Sequence, residues 1–392
     1  MNTNFDVNPN EFDYLKEVRH KIHSRPCLSG NEKETADIIA EELEKCSPDK
    51  LWRNIGGHGM IAMFKGKEEG PSVLFRCELD ALPIKEAVER PYMSKYDGIA
   101  HCCGHDGHMA IMCGLASWIA ANRKKLLEKG CVYLLFQPEE ETGSGAEKMA
   151  RWMKENGMSF DYAFALHNWP GFDKGNVIIY PGTYAWASTG LRMDITGHTA
   201  HASEPWEAAN PTAAITEIIK TINSFDRETS FSTIVGVRIG DEDYGITPGW
   251  GFVAATVRSQ TDEGLDILKN KIISSATQIV EKQKNLKMVV SETDYFPATL
   301  NSEGPTSLVR KTAREAGYQT LENNMGTRGS DDFVHIAKMA RKGATFFDVG
   351  CGKNHAPLHR PDFDFEDEIL PVGLDIMRRV CLQILQSQQA GF

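Results

Sequence analysis

"ASTGLRMDITGH", residues 187–198, reads as a β-strand with apolar and polar side chains in alternation. It marks a change of rhythm in the chain. On its C-terminal side come a helix over 211–225, strands STIVGVRIG (232–240) and GFVAATVRS (251–259), a helix over 262–283 and a strand LKMVVSETDY (286–295). This β-α-β-β-α-β order, over about 110 residues, is that of a ferredoxin-like split βαβ unit. On its N-terminal side the pattern differs. Helices at 10–24 and 31–46 precede the short apolar strands GMIAMFKG (59–66), SVLFRCEL (72–79), CVYLLFQP (131–138) and DYAFALHN (161–168), and helices near 107–127 and 144–156 separate the later strands. Strands alternating with helices predict an α/β layer with a mixed, mostly parallel sheet and helices on both faces. After about residue 300 that pattern returns, with helices near 304–317, 330–340 and 367–387 around ATFFDVG (344–350). The expected organisation is therefore one discontinuous α/β domain, 1–184 and 298–392, interrupted by an inserted α+β domain, 185–297.

A chain of 392 residues is long enough for two domains. With 41% hydrophobic and 25% charged residues it has the composition of a folded protein, not a disordered one. Its net charge of −11 argues against a nucleic-acid or anionic-membrane partner. No apolar run approaches the ~20 residues that span a bilayer. The start, MNTNFDVNPNEFDYL (1–15), carries no basic-then-apolar leader pattern. Nine scattered cysteines, an odd number, fit a reduced protein and a cytoplasmic location better than a disulfide framework.

The chemistry concentrates in HCCGHDGH (101–108), which spends three of the chain's 12 histidines and two of its cysteines on eight residues. Cys103 and His105, two apart in an extended loop, can point the same way. Thiolate plus imidazole suits zinc, cobalt, nickel or manganese. His101, Cys102 and His108 read as packing or supporting residues. In LLFQPEEE (134–141) an apolar strand ends in Glu139, Glu140 and Glu141. Neighbours in an extended segment face opposite ways, so one carboxylate could hold a metal while the next serves as general base. His167 ends another strand, where sites in open α/β sheets form. His359, with His355 as a rival, lies far along the chain in PLHRPDFDFEDEIL (357–370). Cys103, His105, Glu140, His167 and His359 together exceed one tetrahedral structural site and suit two catalytic metals. Asp80, after a strand in RCELDALP (76–83), could orient a metal-ligating histidine. The glycine-rich GTRGSDDF (326–333) is read either as a pocket floor or as a helix-capping loop.

These pieces, in this order and spacing, resemble the metal-dependent aminoacylase and carboxypeptidase family. The similarity is greatest to the branch of hippurate hydrolase, indole-acetyl amino-acid hydrolases and aminobenzoyl-glutamate hydrolase. It runs from about residue 15 to 385 and is carried most specifically by HCCGHDGH followed by QPEEE. The resemblance implies a catalytic α/β domain with a ferredoxin-like lid. It implies metal ligands at Cys103, His105, Glu140, His167 and His359 for two divalent ions (Mn, Zn, Co or Ni), and a catalytic base at Glu139. In GHTAHASEPWEAANP (197–211) it picks out His201 as the lid histidine that reaches a neighbouring subunit's active site, and so a lid-to-lid homodimer. In AATVRS (254–259) it picks out Arg258 as the holder of a substrate carboxylate. Two positions depart from the branch: Glu78 stands where aspartate is usual, and Gly245 in YGITPG replaces an asparagine. The implied activity is cleavage of the amide bond of N-acyl amino acids or related small amides. A metallo-dipeptidase or carboxypeptidase is the alternative, and an inactive metal-binding scaffold a more distant one.

Overall fold

A computed structural model describes residues 8–225, 228–322 and 327–386. The first residues of the segment read for a leader, Gly326 of GTRGSDDF and residue 387 of the last expected helix lie outside them. The chain divides into two compact units, one of Met1–Tyr184, Leu300–Asn324 and Asp332–Phe392, the other of Ala185–Thr299 and Met325–Asp331.

The first unit opens with α1 (Pro9–His23) and α2 (Lys33–Lys45). Proline at the first helical position of α1 loses no needed N–H, and the Asn8 side chain accepts from the Glu11 N–H at 3.0 Å. Strands β1 (Lys50–Ile55), β2 (Gly59–Lys65) and β3 (Glu68–Glu78) follow, then α3 (His105–Leu126), β4 (Lys129–Gln137), α4 (Gly145–Glu155) and β5 (Phe160–Trp169). Short strands β6 (Val177–Ile178) and β7 (Gly182–Ala185) lead to the second unit. That unit contains β8 (Ala187–Thr196), α5 (Thr212–Ile222), β9 (Ser230–Ile239), β10 (Trp250–Ser259), α6 (Asp262–Glu281) and β11 (Lys287–Phe296). The chain then returns through β12 (Thr299–Asn301), α7 (Glu303–Glu315), β13 (Thr320–Leu321), α8 (Val334–Ala337), β14 (Ala340–Gly350) and α9 (Leu370–Gln386).

The eight-stranded sheet runs β1-β2-β4-β3-β5-β14-β6-β13. Its central strands β4, β3, β5 and β14 are parallel, and β1, β2 and β6 bring the antiparallel pairings. Parallel strands are covered on both faces and so become near-continuous apolar runs. LLF in β4 and FAL in β5 are of this kind, and their residues are buried. Helix α3 is buried over most of its length and packs with α1, α9 and β3. Arg19 of α1 is fully buried and donates to Asp106 at the start of α3 and to Asp364, each at 3.0 Å, which pins the first turn of α3 in place. His23 sits between Asp106 and Glu86; burial works to lower its imidazole, yet these carboxylates hold it up at about 9.

In the second unit β8–β11 form an antiparallel sheet in the order β11-β8-β10-β9. Strands β8 and β9 sandwich β10, the split arrangement named above. Ile215 and Ile218 of α5 and Leu265, Leu268 and Ile272 of α6 share its core with Leu191, Met193 and Ile195 of β8. Residues 327–331, which the boundary 185–297 leaves out, are held against this unit, because the Trp186 N–H donates to Thr327 O at 3.2 Å and Gly329 O at 3.0 Å.

Several elements differ from expectation. Strand β1, KLWRNI, is a half-exposed edge strand without alternation, and β6, β7, β12 and β13 are shorter than one reading window. The helix expected over 330–340 shrinks to α8, because Asp332 is tied to Gln137 Nε2 at 2.6 Å and the Ala146 N–H at 3.0 Å, and Ala340 already belongs to β14. No helix among the described residues is long and apolar enough to cross a membrane.

Candidate active site

The candidate residues gather where parallel strands end. Asp80 follows β3, the acidic run follows β4, His167 lies near the C-terminal end of β5, and His359 stands in the loop after β14. This is the edge of an open α/β sheet where ligands bind. Cys103 and His105 stand at the N-terminus of α3, turned there by Gly104 at φ 99°. A Cβ on Gly104 would meet Asn168 Oδ1 at 2.1 Å, so only glycine fits the approach to β5.

Cys103 Sγ lies 3.4 Å from His167 Nε2 and 3.3 Å from His359 Nε2. His105 Nε2 lies 3.9 Å from an oxygen of Glu140 and 3.9 Å from one of Glu141, and His359 Nε2 is 3.6 Å from Glu141 Oε1. Among the described residues, donor atoms lie within 4.8 Å of one another in overlapping groups that include Cys103, His105 and His167; Cys103, Glu141 and His359; and His105, Glu140 and Glu141. His105 and His167 are each oriented through the other nitrogen. His105 Nδ1 donates to Asp80 O at 2.9 Å, and His167 Nδ1 to Asn168 O at 2.7 Å, which leaves both Nε2 atoms for the cluster.

The acidic run does not follow the alternation assumed for it. Strand β4 ends at Gln137, and Glu139 has left-handed backbone, φ 53°. Ser144 N–H donates to Glu139 O at 3.2 Å and Gly143 N–H to Glu140 O at 2.8 Å, so the segment is a turn. The Glu139 carboxylate is directed away from the cluster, to Lys148 Nζ at 2.5 Å and to the Ser144 hydroxyl. Glu140 and Glu141 are the two that flank His105. Glu141 is the residue the sequence reading missed. Its signal was Pro138, which cannot donate to a sheet ladder and so ends the region where alternate facing holds.

The other motif members take supporting places. His108 bonds Glu78 Oε2 and Asn168 Oδ1, each at 2.8 Å, beneath the cluster. Glu78 thus reaches both His108 and the buried Arg76. Asp80 serves both its neighbours: Oδ1 is 3.5 Å from His105 Nδ1, while Oδ2 accepts from the Glu141 N–H at 2.9 Å and the Ser29 hydroxyl at 2.8 Å. His355 turns to Ala356 O and packs on Phe363. His101 is buried with neither nitrogen bonded, and burial lowers it to about 3; burial pushes Cys102 up to about 12.

The electrostatics of the cluster call for a cation. Burial raises the Cys103 thiol well above its ordinary value, and Glu141 and Glu140 push it the same way. Burial lifts Glu141 to about 7. Burial would lower His105, but Asp80, Glu78 and Glu141 hold it up at about 10. His167 and His359 are both lowered by burial. His105 Nε2, Glu141 Oε1 and Asp80 Oδ1 are buried without a hydrogen-bond partner. Such atoms are rare and costly in native proteins. Thiol, imidazole and carboxylate atoms at these spacings fit divalent metal ions, which would satisfy His105 Nε2 and Glu141 Oε1 directly.

A sequence profile of the peptidase family M20/M25/M40 matches residues 74–383. The chain belongs to this family. An N-acetyl-L-cysteine deacetylase of Bacillus subtilis is 31% identical over 380 residues, covering 95% of this chain and 88% of the relative. A hippurate hydrolase of Campylobacter jejuni is 25% identical over 380 residues, covering 95% of this chain and 97% of its own. Among solved structures, the Bacillus subtilis YXEP protein, described as a dinuclear metal binding peptidase, superposes with a TM-score of 0.82 at 26% identity, covering 97% of this chain and 99% of the other. The family membership agrees with the resemblance read from HCCGHDGH and QPEEE, and the fold is that of a family member.

Two expected residues of this M20 chain lie in the second unit. His201 is exposed; its Nδ1 accepts from the Ser203 N–H at 3.2 Å and lies 2.7 Å from the Ser203 hydroxyl, so the neutral ring carries its proton on Nε2. Arg258, half-buried, donates from Nη1 to Arg328 O at 3.0 Å and Ser330 Oγ at 3.1 Å. Arg328 and Ser330 of GTRGSDDF therefore support Arg258. Gly245 donates its N–H to Asp243 Oδ1 at 2.8 Å.

Proposed function

We propose that this chain is a metal-dependent amidohydrolase that cleaves the amide bond of N-acyl amino acids and related small amides. The observation that carries the reading is the cluster in which Glu141 and the exposed His359 join the buried Cys103, His105 and His167, with His105 Nε2 and Glu141 Oε1 left without a hydrogen-bond partner inside it. The relatives named for N-acetylcysteine, hippurate and IAA-amino acid hydrolysis support the substrate class. In this reading Cys103, His105, Glu141, His167 and His359 hold two divalent ions, drawn from Mn, Zn, Co or Ni. Glu141 thereby takes the place expected for Glu140, and Glu140 the place expected for Glu139. When bound, the ions supply Lewis acidity that polarises the amide carbonyl and makes water a stronger acid.

The chain's own residues do the rest. Glu140 takes a proton from the attacking water and returns it to the leaving nitrogen. Asp80 keeps His105 in one tautomer. His201 donates from Nε2 to the oxygen that gains charge as the carbonyl is attacked. Arg258 holds the substrate's carboxylate. The test is a panel of N-acetyl, N-benzoyl and indole-acetyl amino acids beside dipeptides, offered to Co²⁺-loaded protein. Turnover of the N-acyl compounds above the dipeptides is expected. Preference for dipeptides would favour a dipeptidase, and no turnover of either would overturn the reading.

The protein is proposed to be a homodimer built on the second unit. Strand β9 is a sheet edge carrying Val235 and Val237, 67% and 43% exposed, and a bare edge of this kind is a liability unless paired. If His201 acts in the partner's site, a Glu140→Gln chain mixed with a His201→Ala chain should regain activity that neither homodimer has. No recovery in a verified heterodimer would place the action of His201 elsewhere. All nine cysteines are free thiols, which supports a reducing, cytoplasmic location.

A further inference from the structure

Glu32 is a fully buried carboxylate with no place in the chemistry above. It stands just before α2 and caps none of that helix's N–H groups. Its Oε1 instead accepts from the Gly30 N–H at 2.7 Å and, 107 residues along the chain, from the Glu139 N–H at 2.9 Å. Its Oε2 has no hydrogen-bond partner. A carboxylate is costly to bury, so its use as an acceptor for two backbone amides calls for a reason.

The backbone it grips supplies one. Glu139 is a residue with a Cβ held at φ 53°, in the sparsely populated left-handed region. That conformation ends the strand and starts the turn. It directs the Glu139 side chain outward and the next two carboxylates toward His105. The turn hangs from two buried acids, Glu32 on the N–H of Glu139 and Asp80 on the N–H of Glu141.

We propose that Glu32 is a positioning residue that holds Glu139 in left-handed backbone and so presents Glu140 and Glu141 to the metals. This rests on the reading of Glu140 as base and Glu141 as ligand. Loss of a group that orients metal ligands typically costs about 10–100-fold in metal affinity or activity. Glycine adopts positive φ without a side-chain penalty, so it can replace the grip.

The test compares Glu32→Ala, Glu32→Gln and the double variant Glu32→Ala/Glu139→Gly. Co²⁺ affinity is read by titration of the visible absorption bands, together with kcat and KM. Glu32→Ala should bind Co²⁺ about 10-fold or more weakly and lose kcat by a similar factor with little change in KM. Glu32→Gln keeps an acceptor oxygen and should stay near wild type. The double variant should recover Co²⁺ affinity and kcat, which a purely structural role of Glu32 would not produce. Wild-type Co²⁺ affinity in Glu32→Ala, or a folded double variant without recovery, would overturn the proposal. So would failure of both alanine-bearing variants to fold. Glu140→Gln and Glu141→Ala run beside them separate the two failures. If those two stay active and bind Co²⁺ normally, the underlying site reading is wrong. If they are impaired while Glu32→Ala is not, only the role of Glu32 falls.

Discussion

Glu140→Gln is expected to lower kcat by on the order of 10²–10⁴-fold, the scale of a lost general base, while Glu139→Gln leaves kcat near wild type. The contrast follows from where the two carboxylates go. Glu139 is occupied by Lys148 and the Ser144 hydroxyl at the rim of the turn. Glu140 is buried, with an oxygen 3.9 Å from His105 Nε2. The glutamine in Glu140→Gln keeps the shape and the hydrogen-bonding reach but cannot take a proton near neutral pH. Metal content should therefore stay unchanged in that variant. Steady-state kinetics with metal analysis on both proteins decide the matter. A Glu139→Gln enzyme as impaired as Glu140→Gln would return the base to Glu139 and show that the turn rearranges on loading.

Chelation should abolish activity, and fully active protein should carry two divalent ions per chain. Cys103→Ala should weaken metal binding by at least the 10–100-fold seen for lesser, supporting groups, because it removes a donor itself. Cys102→Ala should be mild. Adjacent in sequence, the two thiols differ in surroundings: Cys103 Sγ faces His167 and His359 Nε2, whereas Cys102 packs with Ala100 and Phe363. A bound cation also reverses the burial effect on Cys103, since a coordinating thiol is deprotonated outright. Ligand-linked stabilisation of about 4 kcal/mol is expected when free metal reaches 1,000 times its Kd, and with Cys103→Ala at the same metal concentration it should fall by about 1.4 kcal/mol for each tenfold loss of affinity. Thermal unfolding with and without Co²⁺ and direct metal analysis read both effects. Active protein holding one ion or none, or equal affinity in wild type and Cys103→Ala, would contradict the two-ion reading.

Much of the site was legible because its parts are local. Donor types packed into HCCGHDGH, and a histidine placed at a strand end, are visible without a fold, and the structure brings Cys103, His105, His167 and His359 together. The layered architecture was legible for the same reason. Buried parallel strands such as VYLLF in β4 are continuous apolar runs, and the alternating β8 with its amphipathic helices announces a different unit. Periodicity reports which side of an element faces apolar surroundings, and nothing more distant is needed to read it.

The register of QPEEE was decided by tertiary structure. Three adjacent carboxylates are equivalent to any local rule once Pro138 ends the strand. The choice among them is made by Glu32, Asp80 and Lys148, which grip Glu139 and Glu141 from elsewhere in the chain. The same holds for the helix expected at 330–340, cut short by Asp332's bonds to β4 and α4, and for edge strand β1, whose sequence has no apolar face to betray it. Sequence alone determined which donors exist and on which layers they ride. Which carboxylate faces the cluster was left to contacts such as Glu32 with Glu139 and Asp80 with Glu141, 107 and 61 positions apart, because a turn's direction is set by what holds its backbone N–H groups and carries no period of its own.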